Sequence, residues 1–254
     1  MRKSTLVLFL LLCCSSIFAQ IVNIETRRSS RVDTSGIFGD ITLGFNFIEN
    51  GNTILTINGG LNLEWMKDRH LLLSFTRYNL GRVEQNQFIN DGFQHLRYNY
   101  KINQRFTWEV FTQAQYNERI RLQLRYLSGT GPRLTIVGNK KHKVYVGVLY
   151  MYEYNEESVK DSQTIIHFRD HRLSSYLSFS VQPLSNIQIS STSYFQPVVS
   201  DFKDLRLSSE TSCQIEVTKR LFFNTSFNIL YDTRVPEDVP NTIYAFKNGL
   251  KWNF

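Results

Sequence analysis

Arg105-Phe-Thr-Trp-Glu-Val-Phe-Thr-Gln-Ala-Gln-Tyr116 sorts its side chains by parity. One set reads Phe106, Trp108, Val110, Thr112, Ala114 and Tyr116; the other reads Thr107, Glu109, Phe111, Gln113 and Gln115. Successive side chains of a strand point to opposite faces, so this stretch is a strand with one greasy face and one largely polar face. A helix, turning every 3.6 residues, cannot produce that separation.

The same test carried outward in both directions predicts twelve strands, near 36–47, 53–66, 70–80, 89–101, 105–117, 119–137, 143–155, 165–182, 186–198, 203–218, 221–233 and 241–254. Each matches or exceeds the roughly 9–11 residues that a tilted strand needs to cross hydrocarbon. An even count leaves both ends of the sheet on one side, and the connections then alternate. Those at 67–69, 102–104, 183–185 and 218–220 are tight, while those at 80–88, 156–164 and 234–240 are long and polar, the last with Pro236 and Pro240. The short turn at Asn117-Glu118-Arg119 and the longer one at 138–142 depart from the pattern. Short turns at one end and long loops at the other are the asymmetry of an outer-membrane barrel.

The N-terminus agrees with export. Met1-Arg2-Lys3 is basic, Leu6 to Cys14 is almost wholly apolar, and Ser15-Ser16-Ile17-Phe18-Ala19 leads to a cut before Gln20, so residues 1–19 are expected to be a signal peptide. The stretch is too short for a transmembrane anchor, and Leu12 and Cys13 are not the small residues that a lipoprotein site at Cys13 or Cys14 wants. Residues 20–35, with Arg27, Arg28 and Arg31, read as a periplasmic lead or an inserted plug. Of the three cysteines only Cys213 lies beyond the signal, so the mature chain cannot hold itself together with disulfides. Of the formal charge of +7, Arg2 and Lys3 leave with the signal, and the rest is scattered among Asp and Glu with no run of five like charges, which argues against nucleic acid. Beyond residue 19 no apolar run approaches the length of a membrane-spanning helix.

Aromatic residues sort by height as well as by face. Trp65, Trp108 and Trp252 fall on the apolar face close to the tight-turn end, with Tyr98, Tyr100, Phe106 and Phe223. Phe47, Tyr116, Tyr152, Tyr154, Tyr231 and Tyr244 fall near the other end, with Val, Leu and Ile between. Two aromatic girdles about an aliphatic band make a lipid-facing wall. The last strand continues it: Tyr244, Phe246, Leu250, Trp252 and Phe254 share the outward face and end on an aromatic. That pattern resembles the C-terminal signal read by the β-barrel assembly machinery.

If the apolar face is outside, the charges face a lumen. Parity sends Asp40, Glu64, His95, Arg97, Glu109, Arg121, Arg125, Arg133, Glu153, Arg172, Arg206, Glu210, Glu216, Asp232, Lys247 and Lys251 inward, with Arg77 an outward exception beside Leu73 and Phe75. Placing Lys101 opposite Arg105 makes Arg97 face Glu109 directly; Val217 opposite Leu221 makes Arg206 face Asp232; Ile136 opposite Val144 puts Arg125 diagonal to Glu153. Two readings stand: the pairs satisfy charges inside a closed lumen, or they form the constriction of a narrow polar pore.

Arg97-Tyr-Asn-Tyr-Lys-Ile-Asn-Gln-Arg-Phe106, Glu109-Val-Phe-Thr-Gln113, Tyr116-Asn117, Arg125-Tyr-Leu-Ser-Gly-Thr-Gly131, Tyr194-Phe-Gln-Pro197, Leu205-Arg206-Leu207 and Tyr231-Asp-Thr-Arg-Val-Pro236 recur in the order of the family called domain of unknown function 481. The resemblance spans most of residues 40–254 and is least before Thr53 and in 156–170. It implies an outer-membrane β-barrel, linked in some members to salt stress, and supplies no catalytic residues.

Enzyme chemistry finds little footing. A lipid hydrolase would need an outward Ser within reach of His167 or His171, and Ser175, Ser191, Ser193 and Ser209 are the outward serines weighed, with His171 expected opposite Pro197. The five histidines, His70, His95, His142, His167 and His171, form no HExxH, and neither a metal nor a cofactor is implied. Asn224-Thr-Ser reads as strand, and Lys140-Lys-His-Lys143 as a solvated turn. The expectation is therefore an all-β, transmembrane, antiparallel up-and-down barrel over 36–254. It is non-enzymatic and monomeric, held in outer-membrane lipid and delivered there by periplasmic chaperones and the assembly machinery.

Overall fold

The computed structural model describes residues 35–252, apart from 50–52, 84–85, 140 and 220. The expected signal peptide 1–19, all of the expected lead 20–35 but residue 35, and the terminal Phe254 lie outside the described residues. Twelve strands follow one another: β1 (Gly36–Glu49), β2 (Thr53–Lys67), β3 (His70–Val83), β4 (Asn86–Lys101), β5 (Phe106–Asn117), β6 (Leu122–Gly138), β7 (His142–Ser158), β8 (Ile165–Leu184), β9 (Ile187–Val198), β10 (Asp201–Glu216), β11 (Leu221–Asp232) and β12 (Thr242–Trp252). Antiparallel ladders join each strand to its neighbours in sequence from β1 to β12, which is the up-and-down order that periodicity predicts. The sheet curls into a barrel: Tyr176 of β8 reaches Glu109 of β5, and Arg206 of β10 reaches Glu153 of β7.

Burial is inverted relative to a water-soluble protein. Arg172, Glu109 and Glu153 are fully buried, while Leu43, Trp108, Val110, Val148, Leu177, Phe227 and Phe246 are exposed. An apolar outer band of this extent, on strands whose inner face carries the charges, suits acyl chains as solvent.

Three features differ from the sequence reading. The connection expected at 80–88 is mostly ladder, since β3 runs to Val83 and β4 starts at Asn86, with Val83 opposite Asn86. The polar residues there mark where the hairpin leaves hydrocarbon, not where its backbone pairing stops. Arg77 faces the bore, not lipid, because the inward face of β3 is itself apolar: Leu73 and Phe75 pack with Phe93 in a small internal core, and the Arg77 guanidinium lies 5.3 Å from the Phe93 ring centre. Charges on Glu210 and Asp91 act on it there. Glu210, expected inward, acts on it from β10.

The turn at Asn117 tightens into a 3₁₀ segment over Glu118–Ile120, whose first N–H groups are capped by the Asn117 side chain accepting from Arg119 N at 3.1 Å. Arg121 closes it in the left-handed region, at φ 56°. This residue therefore stands at the barrel mouth and not on the luminal face of a strand.

Candidate functional site

Two charged clusters fill the bore, one nearer the tight-turn end and one nearer the long-loop end. The first forms around Glu109, three residues into β5. Arg97 Nη1 donates to Glu109 Oε2 at 2.8 Å, Arg133 Nη1 lies 3.3 Å from Oε1, and the Tyr176 hydroxyl donates to Oε2 at 2.7 Å. The Arg97 guanidinium also sits 5.0 Å from the Phe111 ring centre and that of Arg133 3.6 Å from Tyr145, so aromatic faces take up cation surface that water would otherwise cover.

The Arg97–Glu109 pair is real, but its register is not the expected one. Lys101 pairs with Thr107 instead of Arg105, which sets Asn99 opposite Glu109 and Arg97 opposite Phe111. The cause is Asn103, whose side-chain oxygen accepts from Arg105 N at 2.8 Å and Phe106 N at 2.9 Å and so builds a wider turn. The pair forms along the diagonal, within reach of a long side chain.

The second cluster forms around Glu153. Arg172 Nε lies 2.6 Å from Oε2, Arg125 Nε 3.1 Å from Oε1 and Arg206 Nη1 3.1 Å from Oε1, while Asn155 Nδ2 donates at 2.8 Å. Here the β10–β11 register holds, with Arg206 directly opposite Asp232 and donating to it from Nε at 2.8 Å. Arg125, opposite Asn155, is diagonal to Glu153 as expected, although Val144 faces Val137 and not Ile136, because a bulge between Thr135 and Val137 shifts the turn end of the hairpin. The network runs outward from Arg172 Nη2 to Asp204 Oδ1 at 3.0 Å, and from Asp204 Oδ2 to Arg234 Nη1 at 2.8 Å, with Arg234 also on Asp170.

Arg234 belongs to the 233–241 connection, which folds over the mouth as a lid. Its guanidinium lies 4.5 Å from the Phe168 ring centre. Burial alone would lower its pKa, but the bond to Asp170 and the charges of Asp170, Asp204 and Glu153 outweigh that and hold it above its ordinary value. Asp238, further along the lid, pairs with Lys160 of the β7–β8 loop and lies 3.9 Å from Arg121.

Between the clusters lies a chamber of about 90 Å³. A smaller space of about 30 Å³ sits above it beneath the lid, and Ile120, Arg125, Leu230 and Ile243 line both. Close packing walls the chamber from below. A Cβ on Gly147 would stand 2.1 Å from the Tyr176 ring and one on Gly129 2.5 Å from Phe111, so both aromatics fold inward only over glycine.

Most sequence-derived lumen residues converge here: Arg97, Glu109 and Arg133 in one cluster, Arg125, Glu153, Arg206 and Asp232 in the other. The side chains of Lys247, Leu250 and Trp252 lie outside the description. Tyr244 and Phe246 of the terminal strand are exposed on its outer face, as are Trp65, Trp108 and Tyr231 of the girdles, with Tyr116 and Tyr152 half-buried on the same face. Tyr176, Asp170, Asp204 and Arg234 went unread in the sequence, although Asp170 and Tyr176 share the parity of Arg172. On the outer wall His171 lies beside Val199, not Pro197, and bonds the Tyr150 hydroxyl, while His167 bonds the Tyr154 hydroxyl at 3.0 Å. The outward Ser193 and Ser191 bond Ser209 and Thr211, each at 2.8 Å.

A family model described as "Protein of unknown function, DUF481" matches residues 41–254. No curated protein matches the sequence. Among solved structures, the NanC porin in a rhombohedral crystal form aligns at 11% identity and TM-score 0.49, covering 78% of this chain and 94% of its own. A bacterial polysaccharide outer membrane secretin aligns at 10% identity and TM-score 0.47, covering 85% and 86%. The translocator domain of the autotransporter NalP from Neisseria meningitidis aligns at 9% identity and TM-score 0.40, covering 87% and 90%.

Proposed function

The chain belongs to the DUF481 family, and from that premise we propose an outer-membrane barrel whose bore is closed at rest by its own side chains, serving the envelope through the lid and hairpins at its extracellular mouth. The observation that carries this reading is the burial of Glu109, Glu153 and Arg172, each 0% exposed, within two ion-pair clusters whose side chains occupy the bore. Localisation follows from the same wall: an exposed apolar band bounded by outward tryptophans and tyrosines requires lipid on the outside.

A gated conduit is the second reading, favoured by one feature. The lid is tied down by ion pairs of partly exposed groups, Arg234 with Asp170 and Asp204, and Asp238 with Lys160, and not by an apolar seal. Planar-bilayer recording on refolded protein separates the two. A closed platform gives no steady conductance, and Arg234→Gln with Asp238→Asn leaves it silent. Steady unitary currents in the native protein would overturn the closed reading, and currents that appear only in the double variant would establish the gate.

A further inference from the structure

We propose that the chamber between the two clusters is a binding site for a small tetrahedral oxyanion of the phosphate or sulfate class. Arg97, Arg125 and Arg206 all line it, as does His95, and among the described residues no Asp or Glu does. The carboxylates that neutralise these arginines approach from behind. Arg97 spends Nε on His95 and Nη1 on Glu109; Arg206 spends Nε on Asp232 and Nη1 on Glu153; Arg125 bonds Asn155 through Nε. Among the described residues no hydrogen bond within the chain engages Nη2 of Arg97 or Arg206, or either Nη of Arg125.

Guanidinium N–H groups that are held in place from one side and open on the other are the donors an oxyanion selects, since their planar fork matches a pair of oxygens. The uncharged lining adds amides from Gln113, Gln115 and Gln196 and a hydroxyl from Ser208. The size agrees: a chamber of about 90 Å³ has room for a small tetrahedral oxyanion. Entry runs beneath the lid, through the smaller space that shares Arg125 with the chamber.

The test is equilibrium dialysis of radiolabelled orthophosphate against the full mature barrel refolded in detergent, at constant ionic strength set with gluconate, which is too large for the chamber. One saturable site per chain is expected, competed by sulfate. Arg125→Gln and Arg97→Gln should each weaken it at least ten-fold, and Arg119→Gln, on the outer turn, should not. Ser208→Leu keeps every ion pair and fills the space, so it should abolish binding in a barrel that still migrates as folded when unboiled. Absence of saturable binding, or binding unaltered in folded Ser208→Leu, overturns the proposal. Neither result bears on conductance, so the closed bore and the anion site fail separately.

Discussion

Glu153→Gln is the sharpest single perturbation of the lumen. The carboxylate is fully buried and touches Arg125, Arg172 and Arg206 within 2.6–3.1 Å. Glutamine keeps its shape and removes its charge. Arg206 then retains Asp232 and Arg172 retains Asp204, but Arg125 keeps only the Asn155 amide. Removing one partner of a buried pair costs about 3–5 kcal/mol, because the remaining charge stays desolvated. With three cations converging on one site, the upper part of that range is expected. In urea unfolding from lipid vesicles, a slope of about 3 kcal/mol/M turns this into a midpoint lower by roughly 1.3–1.7 M. The control is Glu153→Gln combined with Arg125→Met, which removes the stranded cation and should recover about half of the loss. An unchanged midpoint for Glu153→Gln would refute the claim that this carboxylate neutralises the upper cluster, and a double variant worse than the single would refute Arg125 as the stranded group.

Two further substitutions probe wall and packing. Val148→Arg places a cation on the exposed outer face near mid-strand of β7, where a lipid-facing charge costs about 2–4 kcal/mol; it should cut folding yield into vesicles, and a yield equal to the native one would contradict the lipid-facing assignment. Gly147→Ala drives a methyl into the Tyr176 ring, an overpacking expected to cost about 1–3 kcal/mol. Tyr176→Phe combined with Gly147→Ala should be no better in a urea midpoint, because the clash is with the ring and not the hydroxyl.

Strand positions were legible because the wall has two solvents, lipid and a polar bore, and each strand must alternate to satisfy both. Ranges read from parity match the observed ones within a few residues except where polar residues continue a hairpin, as at Val83 and Asn86. Parity failed at β3, where Leu73 and Phe75 are inward and nothing in their chemistry distinguishes an internal core from a lipid face. Register was legible where the turn leaves no choice, as between β10 and β11, and shifted by two where Asn103 caps a wider turn. Contacts across the bore were out of reach. Tyr176 meets Glu109, 67 positions away, only because the sheet curls, and alternation carries no information about curvature.

The ionic filling also has a reason that stability alone does not supply. A slip of one residue between strands would turn the charges into lipid and is forbidden by the wall. A slip of two keeps every face correct, and the aliphatic band barely registers it. The lumen does register it, because Arg206 would leave Asp232 and Arg125 would leave the reach of Glu153. Replacing a buried ion pair by apolar residues of similar size is often neutral or stabilising, so Arg125→Met, Glu153→Leu, Arg206→Met and Asp232→Leu together should retain a folded barrel while loosening its register. Cysteine pairs in a Cys213→Ser background read this out. In the native lumen Ser208→Cys bridges to Leu230→Cys, its direct partner on β11, in preference to Asn228→Cys. In the apolar lumen both bridges should form. Retention of the single bridge would mean that the turns alone hold the strands in step, and that the charges answer only to the chamber they surround.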